Sequence, residues 1–357
     1  MRRVLISVGE PSGDRLAAEL VRALGGQVRV EGVIGPALAA AGAHPVDGAV
    51  PMPGAMGLVE VIRHLGTIRR NRRALIRALD TRPDLYITVD SHAFHAPLAR
   101  AARARGIPVV GYVAPQIWAW RPARAQGIAE QWSEILCLFA FEPALYTRWG
   151  GRATWVGHPV RDRVGPSRRE PGVVALFPGS RPSEVRRHLA VFLAAAAALP
   201  STERLVALPA GVSPDPAHPD RHPYAPQIAL DGARLVGTAE ALSRAERALC
   251  KSGTITLELA VAGVPFVVAH RVSWLTWLVG RALVRGVKHL ALPNVLAGRP
   301  VVAEFVQHFD APALTAALAQ AIVPPAPDLG PPGASARAAE RVRVWLTPGS
   351  RPDREPG

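Results

Sequence analysis

Unbroken apolar runs alternate with amphipathic stretches along this chain. In the first half, Val4–Val8, Val28–Ile34, Leu85–Val89, Pro108–Val113 and Ile135–Phe139 read as strands. Gly13–Leu24, Ile68–Leu79, Phe94–Arg105, Pro122–Gln131 and Glu142–Trp149 read as helices. Runs that are apolar at every position mark strands buried on both faces. A βαβα order of such strands predicts a parallel, doubly wound sheet. A second series starts near Gly172. Its strands are Val173–Phe177, Leu205–Leu208, Arg234–Val236, Ala248–Cys250 and Pro265–Ala269, and its helices Pro182–Leu199, Thr238–Arg244, Thr254–Val261 and Ala311–Ile322. The polar, Pro- and Gly-rich stretch Gly157–Gly172 separates the two series. The expected fold class is therefore α/β, with two Rossmann-like domains, residues 1–160 and 173–323, facing a cleft and joined by a linker over 161–172. Pro209–Pro226, with six prolines, reads as a surface loop. Residues 324–357 read as a Pro-rich tail with a short helix at Ser335–Trp345.

Composition narrows the setting. A length of 357 residues suits two domains, and 49% hydrophobic residues exclude whole-chain disorder. Lys and Arg total 42 against 28 Asp and Glu, a net charge of +14, and only Lys251 and Lys288 of the 42 are lysine. Such a surface attracts anions. Cys137 and Cys250 lie in apolar contexts and read as buried free thiols of a reducing compartment. Val4–Val8 is too short for the apolar core of a signal peptide, and no run approaches the ~18 residues of a membrane span. A soluble, cytoplasmic protein is expected.

Candidate chemistry sits where predicted strands end, which is where ligands bind in parallel α/β sheets. Gly9-Glu-Pro-Ser-Gly-Asp14 follows the first strand. Ser12, Gly13 and Asp14 are candidate substrate-binding residues: Gly13 lets a ligand approach the backbone, while Ser12 or Asp14 can alternatively cap the helix the segment opens. The segment lacks the GxGxxG dinucleotide fingerprint. Asp90 ends another strand with His92 close behind, a carboxylate–imidazole pair able to take a proton from a hydroxyl. The plainer alternative is a helix-capping Asp. Gln116, Trp118 and Trp120 follow a third strand and can wall an acceptor site, though one ring can equally belong to the core. Gly179, Ser180 and Arg181 follow a fourth. Two backbone N–H groups and a guanidinium suit a phosphate, the alternative being a capped helix with an exposed Arg. Ser252-Gly253-Thr254 opens a helix with Glu258 one turn on. That spacing suits a diphosphate at the helix N-terminus and a ribose hydroxyl at the carboxylate, and it does not fit a capping box. No HExxH, GxSxG or P-loop pattern occurs, so no metal centre, serine hydrolase or ATPase is expected. Met56–Arg63 continuing to Arg77, and Trp274–Arg285, mix apolar and basic residues, as helices lying in an anionic membrane interface do. The alternative is a core-packed helix with a solvated face. No nucleic-acid-binding motif is present.

Together these segments resemble lipid-A-disaccharide synthases, inverting glycosyltransferases of the GT-B type. The resemblance rests on Gly9–Asp14, Gly35–Gly42, Met56–Val61, Pro115-Gln-Ile-Trp-Ala-Trp-Arg121, Val156-Gly-His-Pro159, Pro178–Arg181, Ser252–Thr254 with Glu258, and Leu292-Pro-Asn-Val-Leu-Ala-Gly-Arg299. It implies transfer from UDP-2,3-diacylglucosamine to 2,3-diacylglucosamine 1-phosphate, giving a β-1,6 disaccharide lipid and UDP. It also implies a peripheral place at the cytoplasmic membrane face and no cofactor. Carried over, Asp90 is the base for the acceptor 6-hydroxyl, and Glu10 and Gly13 line the acceptor side. Arg181 holds phosphate, Ser252, Gly253 and Thr254 hold the diphosphate, Glu258 holds ribose, and Asn294 and Gln307 complete the donor site. Oligomeric state stays open. The alternatives are a related GT-B enzyme with another acceptor lipid, a UDP-N-acetylglucosamine 2-epimerase-like enzyme, or a non-catalytic nucleotide- or lipid-binding paralogue. The chain departs from the family after Asp90, with His92, Ala93 and His95 where Pro, Asp and Asn are usual. Two imidazoles there can hold an acceptor phosphate when protonated, in which case the acceptor KM rises from about pH 6 to 8; the alternative is that both histidines face solvent or pack against the helix. Lys251 replaces a small residue beside the phosphate site.

Overall fold

The computed structural model describes residues 1–52, 64–115, 125–208, 230–272, 274 and 289–347. The chain forms two compact units, Met1–Pro159 with Leu329–Gly357, and Val160–Asp328.

In unit 1, β1 (Arg2–Val8), α1 (Pro11–Leu24), β2 (Val28–Val33), α2 (Pro36–Ala40), β3 (His44–Pro45), α3 (Leu65–Asp80), β4 (Leu85–Val89), α4 (His92–Ala104), β5 (Val109–Tyr112), α5 (Ala125–Gln131), β6 (Glu134–Cys137), α6 (Pro143–Thr147) and β7 (Ala153–Trp155) follow one another. The sheet is parallel, in the order β3-β2-β1-β4-β5-β6-β7. Every residue of β4 is buried, which accounts for its unbroken apolar sequence. Two polar pairs lock this core: the Tyr86 hydroxyl meets Ser7 Oγ at 2.6 Å, and Trp132 Nε1–H donates to Thr88 Oγ1 at 2.8 Å.

Unit 2 repeats the plan with α7 (Val160–Arg163), β8 (Val173–Phe177), α8 (Pro182–Ala197), β9 (Glu203–Leu208), β10 (Arg234–Gly237), α9 (Thr238–Arg244), β11 (Arg247–Cys250), α10 (Ile255–Ala262), β12 (Phe266–His270), α11 (Leu292–Ala297), β13 (Glu304–Val306) and α12 (Ala311–Ala319). Its parallel sheet runs β10-β9-β8-β11-β12-β13.

The ends of the units differ from the sequence expectation. Residues 161–172 are not a free tether. They begin with α7, and the N–H groups of Ser167, Arg168 and Glu170 donate to carbonyls of Ala262, Ser243 and Arg244 in unit 2. The tail belongs to unit 1 from Leu329 onward. Its helix α13 (Ala334–Leu346) returns to unit 1, where Arg343 donates to the Ala23 carbonyl at 2.6 Å and Arg337 to that of Val156 at 2.9 Å. The anchor is Glu134, fully buried, which accepts from Arg341 at 2.8 and 3.0 Å, Trp345 Nε1 at 2.6 Å and Thr154 Oγ1 at 2.6 Å. A buried carboxylate is tolerated only when paired and hydrogen-bonded in this way. Among the described residues, no helix is long and apolar enough to cross a membrane. Pro209–Pro226 and most of Trp274–Arg285 lie outside the described residues.

Candidate active site

Both sheets reverse their strand order at one place, between β1 and β4 in unit 1 and between β8 and β11 in unit 2. Such switch points open a crevice at the carboxyl ends of the strands. The segments Gly9–Asp14, Asp90, Gly179–Arg181 and Ser252–Thr254 fall on these four strand ends.

In unit 1 the loop after β1 lies against the loop after β4. Gly9 N–H donates to the Val89 carbonyl at 3.2 Å, and a Cβ on Gly9 would stand 1.9 Å from Ser91 Cβ. A Cβ on Gly13 would touch Asp90 Cβ at 3.5 Å. Two glycines thus bring the first turn of α1 against Asp90. The backbone here is strained, with Asp90, Ser91 and Val113 at φ of 60°, 43° and 71°. A β-branched residue at positive φ is a genuine outlier, and such strain collects at functional sites. Asp90 is half-buried and accepts the Ser91 N–H at 2.7 Å.

In unit 2 the loops after β8 and β11 also adjoin, with Lys251 N–H donating to the Phe177 carbonyl at 2.9 Å. Three groups converge on Glu184. Ser180 N–H lies 3.0 Å from its carboxylate, Arg181 Nη1 3.1 Å and Lys251 Nζ 3.0 Å. Burial pushes the Glu184 pKa up, but Lys251, Arg181 and the Ser180 N–H outweigh it and hold the pKa below the usual value. One turn on, His188 is fully buried, with Nδ1 2.8 Å from the Glu184 carbonyl and Nε2 accepting the Arg271 N–H at 2.9 Å. Burial lowers its pKa to about 4. Ser252, Gly253 and Thr254 lead into α10. Glu258, almost buried, pairs with Arg163 at 3.0 Å. Among the described residues, no cluster of three or more His, Cys, Asp or Glu side chains is arranged to hold a metal ion.

A family model described as lipid-A-disaccharide synthetase matches residues 4–323. The lipid-A-disaccharide synthase of Rhodopseudomonas palustris strain BisB18 is 37% identical over 350 residues, covering 89% of this chain and 85% of its own. The chain belongs to the lipid-A-disaccharide synthetase family. Among solved structures, the glycotransferase of kitacinnamycin aligns with a TM-score of 0.57 at 17% identity, over 97% of this chain and 99% of its own. The UDP-N-acetylglucosamine 2-epimerase of Rickettsia bellii aligns with a TM-score of 0.55 at 10% identity, over 97% of this chain and 96% of its own. These likenesses establish the GT-B fold and leave the reaction to the family.

Measured against the family's motif residues, the structure brings Gly9, Glu10, Gly13 and Asp90 to one edge of unit 1. It brings Gly179, Ser180, Arg181, Lys251, Ser252, Gly253 and Thr254 to one edge of unit 2. Several expectations are corrected. Asp14 does not cap its own helix, which starts at Pro11. Its carboxylate is buried and accepts N–H groups of Gly35, Ala37 and Leu38, capping α2 instead. Ser12 is exposed within the first turn of α1. His95 cannot hold a phosphate: its ring is fully buried, Nδ1 lies 2.8 Å from the Asp90 carbonyl, and burial lowers its pKa to about 4. It stays neutral from pH 6 to 8, which removes the expected rise in acceptor KM through protonation of a histidine pair. His92 is half-buried at the start of α4, with its ring 4.9 Å from Trp132. Asn294 is fully buried and its amide is saturated, accepting from Val301 and Val302 and donating to the Val302 carbonyl and Glu304. It holds the turn before β13 and has nothing left for a ligand. Gln307 pairs its amide both ways with the Val272 backbone, at 3.1 and 3.2 Å. Gln116 and Trp118 lie outside the described residues. Glu184 and Lys251 were missing from the candidate set. The signal for both was present: an acid three residues after Arg181, and one of only two lysines in an arginine-rich chain.

Proposed function

We propose that this hexosyltransferase transfers by a single inverting displacement, with Asp90 of unit 1 as general base and unit 2 as the donor unit. The established product is the lipid A disaccharide. On this reading Asp90 takes the proton of the 6-hydroxyl of 2,3-diacylglucosamine 1-phosphate, and that oxygen attacks C1 of UDP-2,3-diacylglucosamine. The bond from C1 to the diphosphate breaks, UDP leaves, and the new linkage is β-1,6. Arg181 and Lys251 balance the charge gathering on the departing diphosphate, and Ser252, Gly253 and Thr254 meet it with the N-terminal end of α10. Glu258 takes the ribose hydroxyls while paired with Arg163. Glu10, on the loop that adjoins Asp90, serves the acceptor side. The observation that carries the reading is Asp90 at the switch point of unit 1, in strained backbone packed against Gly13. The test is mass spectrometry of products from the purified protein with both acylated substrates. UDP release that needs no acceptor would favour an epimerase-like reaction and overturn the transferase reading.

We further propose that the protein works at the cytoplasmic face of the membrane, held peripherally. Arg69 and Arg73 are exposed on α3 and Trp274 is 71% exposed, which supports contact with an anionic lipid surface. Arg72 belongs elsewhere, since it donates to the Ala93 carbonyl at 2.9 Å and lies over the Phe94 ring. Neutral replacement of Arg69 and Arg73 should therefore weaken binding to anionic vesicles without unfolding α3. Equal flotation of wild type and variant at low salt would make these arginines an ordinary solvated face.

A further inference from the structure

We propose that the Glu184 carboxylate is an internal anion in the donor-phosphate seat, competing with the UDP diphosphate for Arg181 and Lys251 and so speeding release of the product. The inference rests on the reading of unit 2 as the donor unit and adds to it a residue that opposes retention of the nucleotide. Three groups suited to a phosphate already converge on this carboxylate: Ser180 N–H at 3.0 Å, Arg181 Nη1 at 3.1 Å and Lys251 Nζ at 3.0 Å. The carboxylate is 7% exposed, so these are not loose surface pairs. The loop is shaped around it. Gly179 sits at φ 130°, and a Cβ there would stand 2.5 Å from Glu184 Cβ and 2.6 Å from its carboxylate oxygen. Glycine at this point makes room for Glu184 itself.

The charge balance gives the consequence. Two cations and one carboxylate leave a net charge of about +1 to meet a diphosphate of roughly three negative charges. An arriving phosphate must either displace the carboxylate from its donors or sit beside a like charge, and both weaken binding. After the transfer the carboxylate can take back its donors as UDP leaves. A bound nucleotide is thus held less tightly than the two cations alone would hold it.

The test compares UDP and uridine binding by calorimetry in wild type and Glu184→Gln. The amide keeps the shape and can still accept the Ser180 N–H, while the charge is gone. UDP affinity should rise roughly tenfold, the scale of removing one like charge from a half-buried site. Uridine affinity, which has no phosphate to sense the change, should not move, and UDP should become the stronger product inhibitor. If Glu184→Gln does not fold, Glu184→Asp withdraws the carboxylate by one methylene and should shift UDP in the same direction. Unchanged or weaker UDP binding in a folded variant overturns the proposal, since Glu184 then only braces its neighbours. An equal gain for uridine also overturns it. If Arg181→Ala and Lys251→Met leave wild-type UDP binding intact, it is the donor-unit reading that fails.

Discussion

Asp90→Asn separates the chemistry of the proposed base from its structural duty. Asp90 sits at φ 60° and its carboxylate accepts the next N–H at 2.7 Å. Asparagine is among the few side chains at home in the left-handed region, and its amide oxygen can accept the same bond. The variant should therefore lose less than about 0.5 kcal/mol of stability, the range of benign substitutions. Turnover should fall about 10²–10⁴-fold, the usual contribution of a positioned base. That range corresponds to about 3–5 kcal/mol in the barrier. UDP affinity should not change, because the proposed donor residues lie in unit 2. Asp90→Ala is the contrast. It loses the Ser91 hydrogen bond, worth about 1 kcal/mol, and places alanine in the left-handed region at about another 1 kcal/mol. A loss of about 2 kcal/mol should lower the melting temperature by roughly 4–8 °C for a unit of this size. The assays are acceptor-dependent UDP release and thermal melting on the same samples. Near-wild-type turnover in a folded Asp90→Asn protein would refute the assignment and move attention to Glu10, on the adjoining loop. An Asp90→Ala protein that melts like wild type would refute the strain argument alone.

Three further outcomes follow from the same geometry. Glu258→Ala and Arg181→Ala should each weaken UDP binding by about one to two decades, since a charge-assisted hydrogen bond is worth roughly 1.5–3 kcal/mol; calorimetry with unchanged UDP binding in both would sink the donor assignment. Arg341→Ala removes the bidentate partner of fully buried Glu134 and should cost about 3–5 kcal/mol, measured by urea unfolding, with a loss below about 1 kcal/mol contradicting the anchoring of α13. His95 and His188 are held neutral with pKa values lowered to about 4, so between there and the unfolded value of about 6.5 the unfolded chain binds more protons. Stability is complete above about pH 6.5 and is lost as pH falls toward 4, by up to about 1.4 kcal/mol per pH unit for each imidazole. A urea midpoint that stays flat from pH 6.5 to 4.5 would contradict this.

The fold class and the strand ends that carry the candidate residues were legible in the apolar pattern of the chain. Leu85–Val89 and Val173–Phe177 were legible because strands covered on both faces must be apolar at every position. Their ends were legible because the run stops where Asp90 and Pro178 begin. The edge strands His44–Pro45, Ala153–Trp155 and Glu304–Val306 were not, since two or three residues are too few to carry a period. What individual polar side chains do follows from packing between elements far apart in the chain. Asp14 looked like the cap of its own helix and caps another more than twenty residues on. Asn294 looked like a ligand residue and is consumed by the turn before β13. Glu184 carried no expected role and pairs with both Arg181 and Lys251. Helix α13 looked like part of a tail and completes unit 1 through Glu134. The physical reason is common to all four. Apolar burial is a summed, non-directional quantity that leaves its period in the sequence. A hydrogen bond or ion pair is a directional match between two particular groups, and only the fold brings those groups within 3 Å.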